Sequence, residues 1–111
     1  GTDPFTILGG LLVDMRKPTF GSVGLTVGDF QTVAGRAGVA TFGTVPVSNW
    51  YSAILNGSGR NYINKTGTTQ FRLRFTTDDN DDGATDYMKF YSGNHANSAV
   101  WPMLVIEYYV P

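Results

Sequence analysis

The chain reads as an all-β domain, an antiparallel β-sandwich of jelly-roll type with one or two short helical turns. Short runs rich in β-branched and aromatic residues recur along its whole length. Gly, Asn, Asp or Pro separates them roughly every ten residues, the spacing of turns between sandwich strands. The stretches that suggest helix are too brief to form a layer of their own.

The runs, in order, are 11–16 (LLVDMR), 38–42 (GVATF), 50–55 (WYSAIL), 69–75 (TQFRLRF), 87–91 (YMKFY) and 103–110 (MLVIEYYV). The fourth alternates cleanly: Phe71, Leu73 and Phe75 fall on one face and Gln70, Arg72 and Arg74 on the other, which predicts one buried and one wet face. One helical turn is expected over 25–30. A second is expected over 57–64, capped by Asn56 and carrying Tyr62 and Ile63 against the sheet.

A length of 111 residues fits one domain, 1–111, that can bury a core without staples. Charged residues make up 15% of the chain, so Ser, Thr, Asn and Gly must cover much of the surface. The glycines are spread along the chain, with no linker and no internal repeat. A net charge of −1 and scattered Lys and Arg give no footprint for nucleic acid. The lack of cysteine excludes disulfides, thiol catalysis and thiolate metal sites. No apolar run approaches the roughly 18 residues of a membrane span. A first residue other than Met suggests a processed product or a segment of something longer.

Five of the nine acidic residues crowd into 78–86. Repulsion on that scale needs water or a cation to screen it. Asp78, Asn80, Asp82 and Asp86 take relative positions 1, 3, 5 and 9, with Gly83 at position 6, the spacing that opens a calcium loop. Lys89 stands at position 12, where such loops place a bidentate Glu, so a structural calcium would need other oxygens as well. The competing reading is a solvated Asp/Asn turn between strands.

If 69–75 and 87–91 are neighbours, Arg72 and Arg74 share a face with Tyr87, Lys89 and Tyr91. Guanidinium groups pair with carboxylates and rings stack on pyranose faces, so such a face suits an acidic sugar. The alternative is a cross-strand ladder in which the cations meet Glu107 or Asp14. Trp101, in a loop before Pro102, is the better candidate ring for glycan stacking or subunit contact. Trp50 and Tyr51 must point to opposite faces of their strand, so at most one can line an outer platform. His95 is alone in a polar loop without a nucleophile motif, and the acidic cluster is too solvated to form the separated carboxylate pair of a glycosidase. Catalysis is not expected.

The succession WYSAIL, NGSGRNYIN, TTQFRLRF, DDNDDG, DYMKFYSG and WPMLVIEYY, from Trp50 to the end, resembles the DNRLRE-type domain, also described as carbohydrate-binding module family 96. The resemblance weakens back to GGLLVDMRK. It implies a secreted β-jelly-roll that binds glycans such as alginate. Members of that family carry further strands ahead of the segment starting at Gly1, so the resemblance implies a sandwich without its N-terminal strands. Exposed inner faces and open edges would then be completed by an N-terminal segment, a swapped strand or a neighbouring subunit.

The expected function is a noncatalytic extracellular module that binds polysaccharide, with acidic polysaccharide as one class it suits. A structural subunit of an extracellular filament or surface layer, assembled by strand complementation between chains, is the rival expectation.

Overall fold

Three antiparallel strands, β1 (Leu11–Arg16), β2 (Arg36–Thr41) and β3 (Gln70–Phe75), form one sheet in the order β2-β1-β3 in a computed structural model that describes residues 3–78 and 80–111. β1 is the central strand and is buried on both faces, through Leu11, Val13 and Met15 on one and Asp14 on the other. Leu11, Val13 and Met15 oppose Phe75, Leu73 and Phe71 on the apolar face, while Leu12, Asp14 and Arg16 oppose Arg74, Arg72 and Gln70 on the polar face. The bond from Thr76 N–H to the Gly10 carbonyl, 2.9 Å, sets this register.

The β1–β2 ladder pairs Leu12 with Thr41 and Val13 with Ala40, then slips before Met15 meets Arg36. That bulge places Gly38 at φ +60°, a conformation glycine adopts without a Cβ penalty. It also turns the Gly38 N–H away from the ladder and onto Asp14.

Two short helices and two 3₁₀ turns pack around the sheet. α1 (Pro4–Leu8) begins at Asp3, whose carboxylate accepts the Phe5 N–H, and has Pro4 at its first position, where no N–H is needed. Its Phe5 ring meets Phe75 edge-on and lies tilted on Tyr51, and Tyr51 in turn meets Phe90. α2 (Gly57–Tyr62) is capped by Asn56, which accepts the Gly59 N–H at 2.9 Å, as the sequence predicts. The 3₁₀ turns are Val27–Phe30, inside the expected 25–30 turn, and Ser98–Val100. The core is small: Val13, Met15, Val39 and Ala40, with Phe42, Ala53, Leu55, Tyr62 and Ile63 packed against them.

Runs 50–55, 87–91 and 103–110 differ from expectation, since none forms a strand among the described residues. Run 50–55 follows a tight turn in which Ser48 and Asn49 both have positive φ, the backbone of a two-residue hairpin loop. It then lies beside β2 through isolated bonds, from Gly43 N–H to the Ser52 carbonyl and from Asn56 N–H to the Val39 carbonyl. Runs 87–91 and 103–110 are unpaired because a strand needs a neighbour for its backbone groups, and none of the described residues supplies one. The fold is thus mostly β, with one three-stranded sheet, and no helix among the described residues is long and apolar enough to cross a membrane.

The chain exposes 8387 Å². A compact monomer of 12.1 kDa exposes about 6,000 Å². Its radius of gyration, 15.2 Å, exceeds the roughly 13 Å of a compact domain of this length. Met103, Val105, Tyr108, Tyr109 and Val110 are among the large apolar and tyrosine side chains left exposed.

Candidate functional site

On the polar face, Arg72 and Arg74 come together as alternation predicts, but they converge on Asp14. Arg72 Nη2 and Nε lie 2.9 and 3.3 Å from Asp14 Oδ2, and Arg74 Nε lies 2.8 Å from the same oxygen. Gly38 N–H donates to Oδ1 at 2.9 Å. The Asp14 side chain is 1% exposed. Burial alone would raise its pKa, yet hydrogen bonds from Arg74, Arg72 and Gly38 outweigh that and hold the carboxyl below its usual 3.8.

Arg72 is further committed. Its Nη1 donates to the Asp29 and Thr32 carbonyls at 2.9 and 2.6 Å, and its guanidinium lies over the Phe20 ring. It therefore ties β3 to the 20–32 loop. Asp29 braces that loop from within by accepting the Thr26 N–H and hydroxyl. Arg74 is more open, with 40% of its side chain exposed, and among the described residues only its Nε donates, to Asp14. No contact joins either arginine to Tyr87, Lys89 or Tyr91 among the described residues.

The segment 87–101 builds a separate surface. Tyr87, Lys89, Phe90 and Tyr91 are all exposed and Met88 is half-buried, so the expected alternation is not kept, although Phe90 meets Tyr51 edge-on. The Lys89 ammonium lies 5.1 Å from the Tyr87 ring centre. Beyond it the chain turns back through Ser92–Val100. The His95 N–H donates to the Ser92 carbonyl, His95 Nδ1 accepts the Asn97 N–H at 3.0 Å, and Asn97 caps the 3₁₀ turn Ser98–Val100 through the Ala99 N–H. These bonds fix the imidazole so that Tyr91 meets it at 4.5 Å between ring centres, tilted by 62°.

Trp101 closes the group. Its indole Nε1 donates to the His95 carbonyl at 2.6 Å, while 42% of the residue stays exposed. Tyr91 and Trp101 are thus held on one solvent-facing patch by His95. The sequence gives His95 no role, and its only signal is the short spacing of Tyr91, His95 and Trp101 with Asn and Ser between them.

At the acidic turn the side chains serve their own loop. Asp82 accepts the Ala84 N–H at 2.7 Å and the Asn80 amide at 3.0 Å, and the Asn80 carbonyl oxygen accepts the Asp82 N–H. Asp81 and Gly83 both have positive φ. Asp78 and Asp86 open with Ala84, Thr85 and Leu8 onto one shallow pocket. Among the described residues no three carboxylate or imidazole groups converge as metal ligands, and Asp79 lies outside them.

Of the remaining rings, Tyr51 joins the aromatic row to Phe5 and Phe90 while Trp50 stays exposed, although the run that carries them forms no strand. Tyr62 is enclosed by cations, with the Lys17 ammonium 4.6 Å and the Arg36 guanidinium 4.8 Å from its ring centre. It is a packing residue. Comparison with family models, curated proteins and solved structures gives no match to this chain.

Proposed function

We propose that this chain is a noncatalytic, extracellular carbohydrate-binding module on the β-sandwich plan, and that it contacts polysaccharide through Tyr91 and Trp101. One observation carries the reading. Trp101 and Tyr91 are fixed by a hydrogen bond and a ring contact to His95, yet their rings remain in solvent. Rings held in place at the surface stack on sugar faces at little entropic cost.

Tyr87 and Lys89 extend the patch toward β3 in sequence and add the cation that favours a uronate-bearing polysaccharide. Arg74 can supply a second cation through its terminal nitrogens, whereas Arg72 is consumed by Asp14, Asp29 and Thr32. Extracellular placement goes with the ligand class. A calcium ion at Asp78, Asn80, Asp82 and Asp86 is the structural part of the proposal and rests on their spacing; to bind there it must draw Asp82 away from Asn80 and the Ala84 N–H.

Affinity electrophoresis against neutral and uronate polysaccharides tests the proposal. Retardation by at least one of them, lost in the Tyr91→Ala/Trp101→Ala double variant, is expected. Unretarded migration in every gel would overturn it.

A further inference from the structure

The outer edge of β3 and the run 103–110 are each unsatisfied, and their patterns match. Because the Thr76 N–H points to β1, alternation aims the N–H and C=O groups of Phe71 and Leu73 away from β1, where no backbone bond reaches them among the described residues. Beside that edge lies a groove in which apolar side chains such as Val23, Leu25 and Leu73 are joined by Asp29, Gln70 and Arg72. The run 103–110 forms no strand, and seven of its eight side chains are exposed apolar or tyrosine groups, with Glu107 the eighth.

We infer that 103–110 of one copy adds as an antiparallel strand to the β3 edge of a second copy, with Glu107 opposite Arg74. Charge and polarity choose the register. Glu107 is the only charged residue in the run. Opposite Arg74 it meets a guanidinium whose terminal nitrogens have no partner among the described residues and whose side chain is 40% exposed. The same register sets Ile106, Tyr108 and Val110 against Phe75, Leu73 and Phe71, so apolar meets apolar on one face and carboxylate meets cation on the other. A shift by one residue would move Glu107 onto the apolar face.

Area supports a second copy as the occupant. The excess over a compact monomer, about 2,400 Å² per chain, surpasses the roughly 800 Å² per partner of a stable interface. Edge and run are open together in the same molecule, so the chain does not satisfy one with the other, whereas two copies supply both halves twice. Reciprocal exchange closes a dimer, and one-way addition extends a fibre. This inference shares Arg74 with the glycan reading but needs neither Tyr91 nor Trp101.

The absence of native cysteine makes a trap clean. Leu73→Cys and Tyr108→Cys, prepared as separate proteins, are mixed and oxidised, and sedimentation of the unmodified chain is followed from about 1 to 100 μM. A mixed disulfide dimer well above either homodimer is expected. So is concentration-dependent association, weakened about tenfold by Glu107→Lys. A unmodified chain that stays monomeric throughout would overturn the inference. So would a Leu73→Cys/Tyr108→Cys double variant that closes only within one chain, which would show the run docked on its own β3.

Discussion

Arg72 and Asp14, directly opposite each other on β3 and β1, are joined through two guanidinium nitrogens to one carboxylate oxygen. The link is buried on the aspartate side and continues through Arg72 Nη1 into the loop carbonyls of Asp29 and Thr32. One side chain therefore fastens both the β1–β3 pair and the 20–32 loop.

Removing either partner should be costly. Asp14→Ala leaves two guanidinium groups without their shared carboxylate, and Arg72→Ala leaves a buried carboxylate without one of its two cationic donors and two carbonyls without their Arg72 bonds. A loss of about 3–5 kcal/mol is expected for each. Urea denaturation of the variants checks it, and a loss under about 1 kcal/mol would show the cluster to be ornamental.

The same carboxyl sets an acid limit. Its folded-state pKa lies below the unfolded value of 3.8, so the unfolded chain binds the proton more readily. The stabilisation is complete above the unfolded value and is lost as pH falls through the folded one. Urea midpoints should hold between pH 7 and about pH 5 and then decline toward pH 2. Asp14→Asn should start lower and lose this part of the slope.

Gly35 is fixed by a ring. A Cβ there would stand 1.9 Å from the Tyr62 hydroxyl, so the ring would have to leave its place between Lys17 and Arg36. Gly35→Ala should cost about 1–3 kcal/mol. Gly28→Ala, where a Cβ meets open space, should change stability by no more than about 0.5 kcal/mol. Thermal melts of the two variants side by side check the contrast.

Much of this was legible in the residues and some was not, for physical reasons. LLVDMR and QFRLRF are both strands where expected, but the expected faces of QFRLRF are inverted: Phe71 and Leu73 are exposed, while Arg72 is half-buried on Asp14. Asn56 before GSGRNY announced a cap, and the cap is present. The run MLVIEYYV carries an equally strong strand pattern but forms none, because pattern reports what a segment prefers and pairing depends on what lies beside it. Helix α1 was missed: DPFTIL is short, and its cap signal stands at the start of the described chain. The convergence of Arg72 and Arg74 on Asp14 was legible only as one alternative. Charge identity does not say whether a cation on a strand faces a ligand or a neighbouring carboxylate. His95 as the brace of Tyr91 and Trp101 was not legible, since Trp101 is held by the His95 carbonyl, which any residue has, and the imidazole contacts depend on how the 92–100 loop folds.

The acidic turn offers an independent check of the proposed calcium ion. Millimolar calcium should raise the melting temperature and a chelator should reverse the rise. At ten times the dissociation constant the gain is about 1.4 kcal/mol. Asp86→Asn should remove it. No response at any concentration to about 10 mM would strike the metal from the account.

The central claim is that Tyr91 and Trp101, fixed around His95, bind sugar. Calorimetric titration with oligosaccharides from whichever polysaccharide retards the protein tests it most directly, comparing Trp101→Ala with Trp50→Ala, an equally exposed tryptophan outside the patch. The account predicts an affinity loss of about tenfold or more for Trp101→Ala and none for Trp50→Ala. Equal affinities for the two variants, with both still folded, would contradict it.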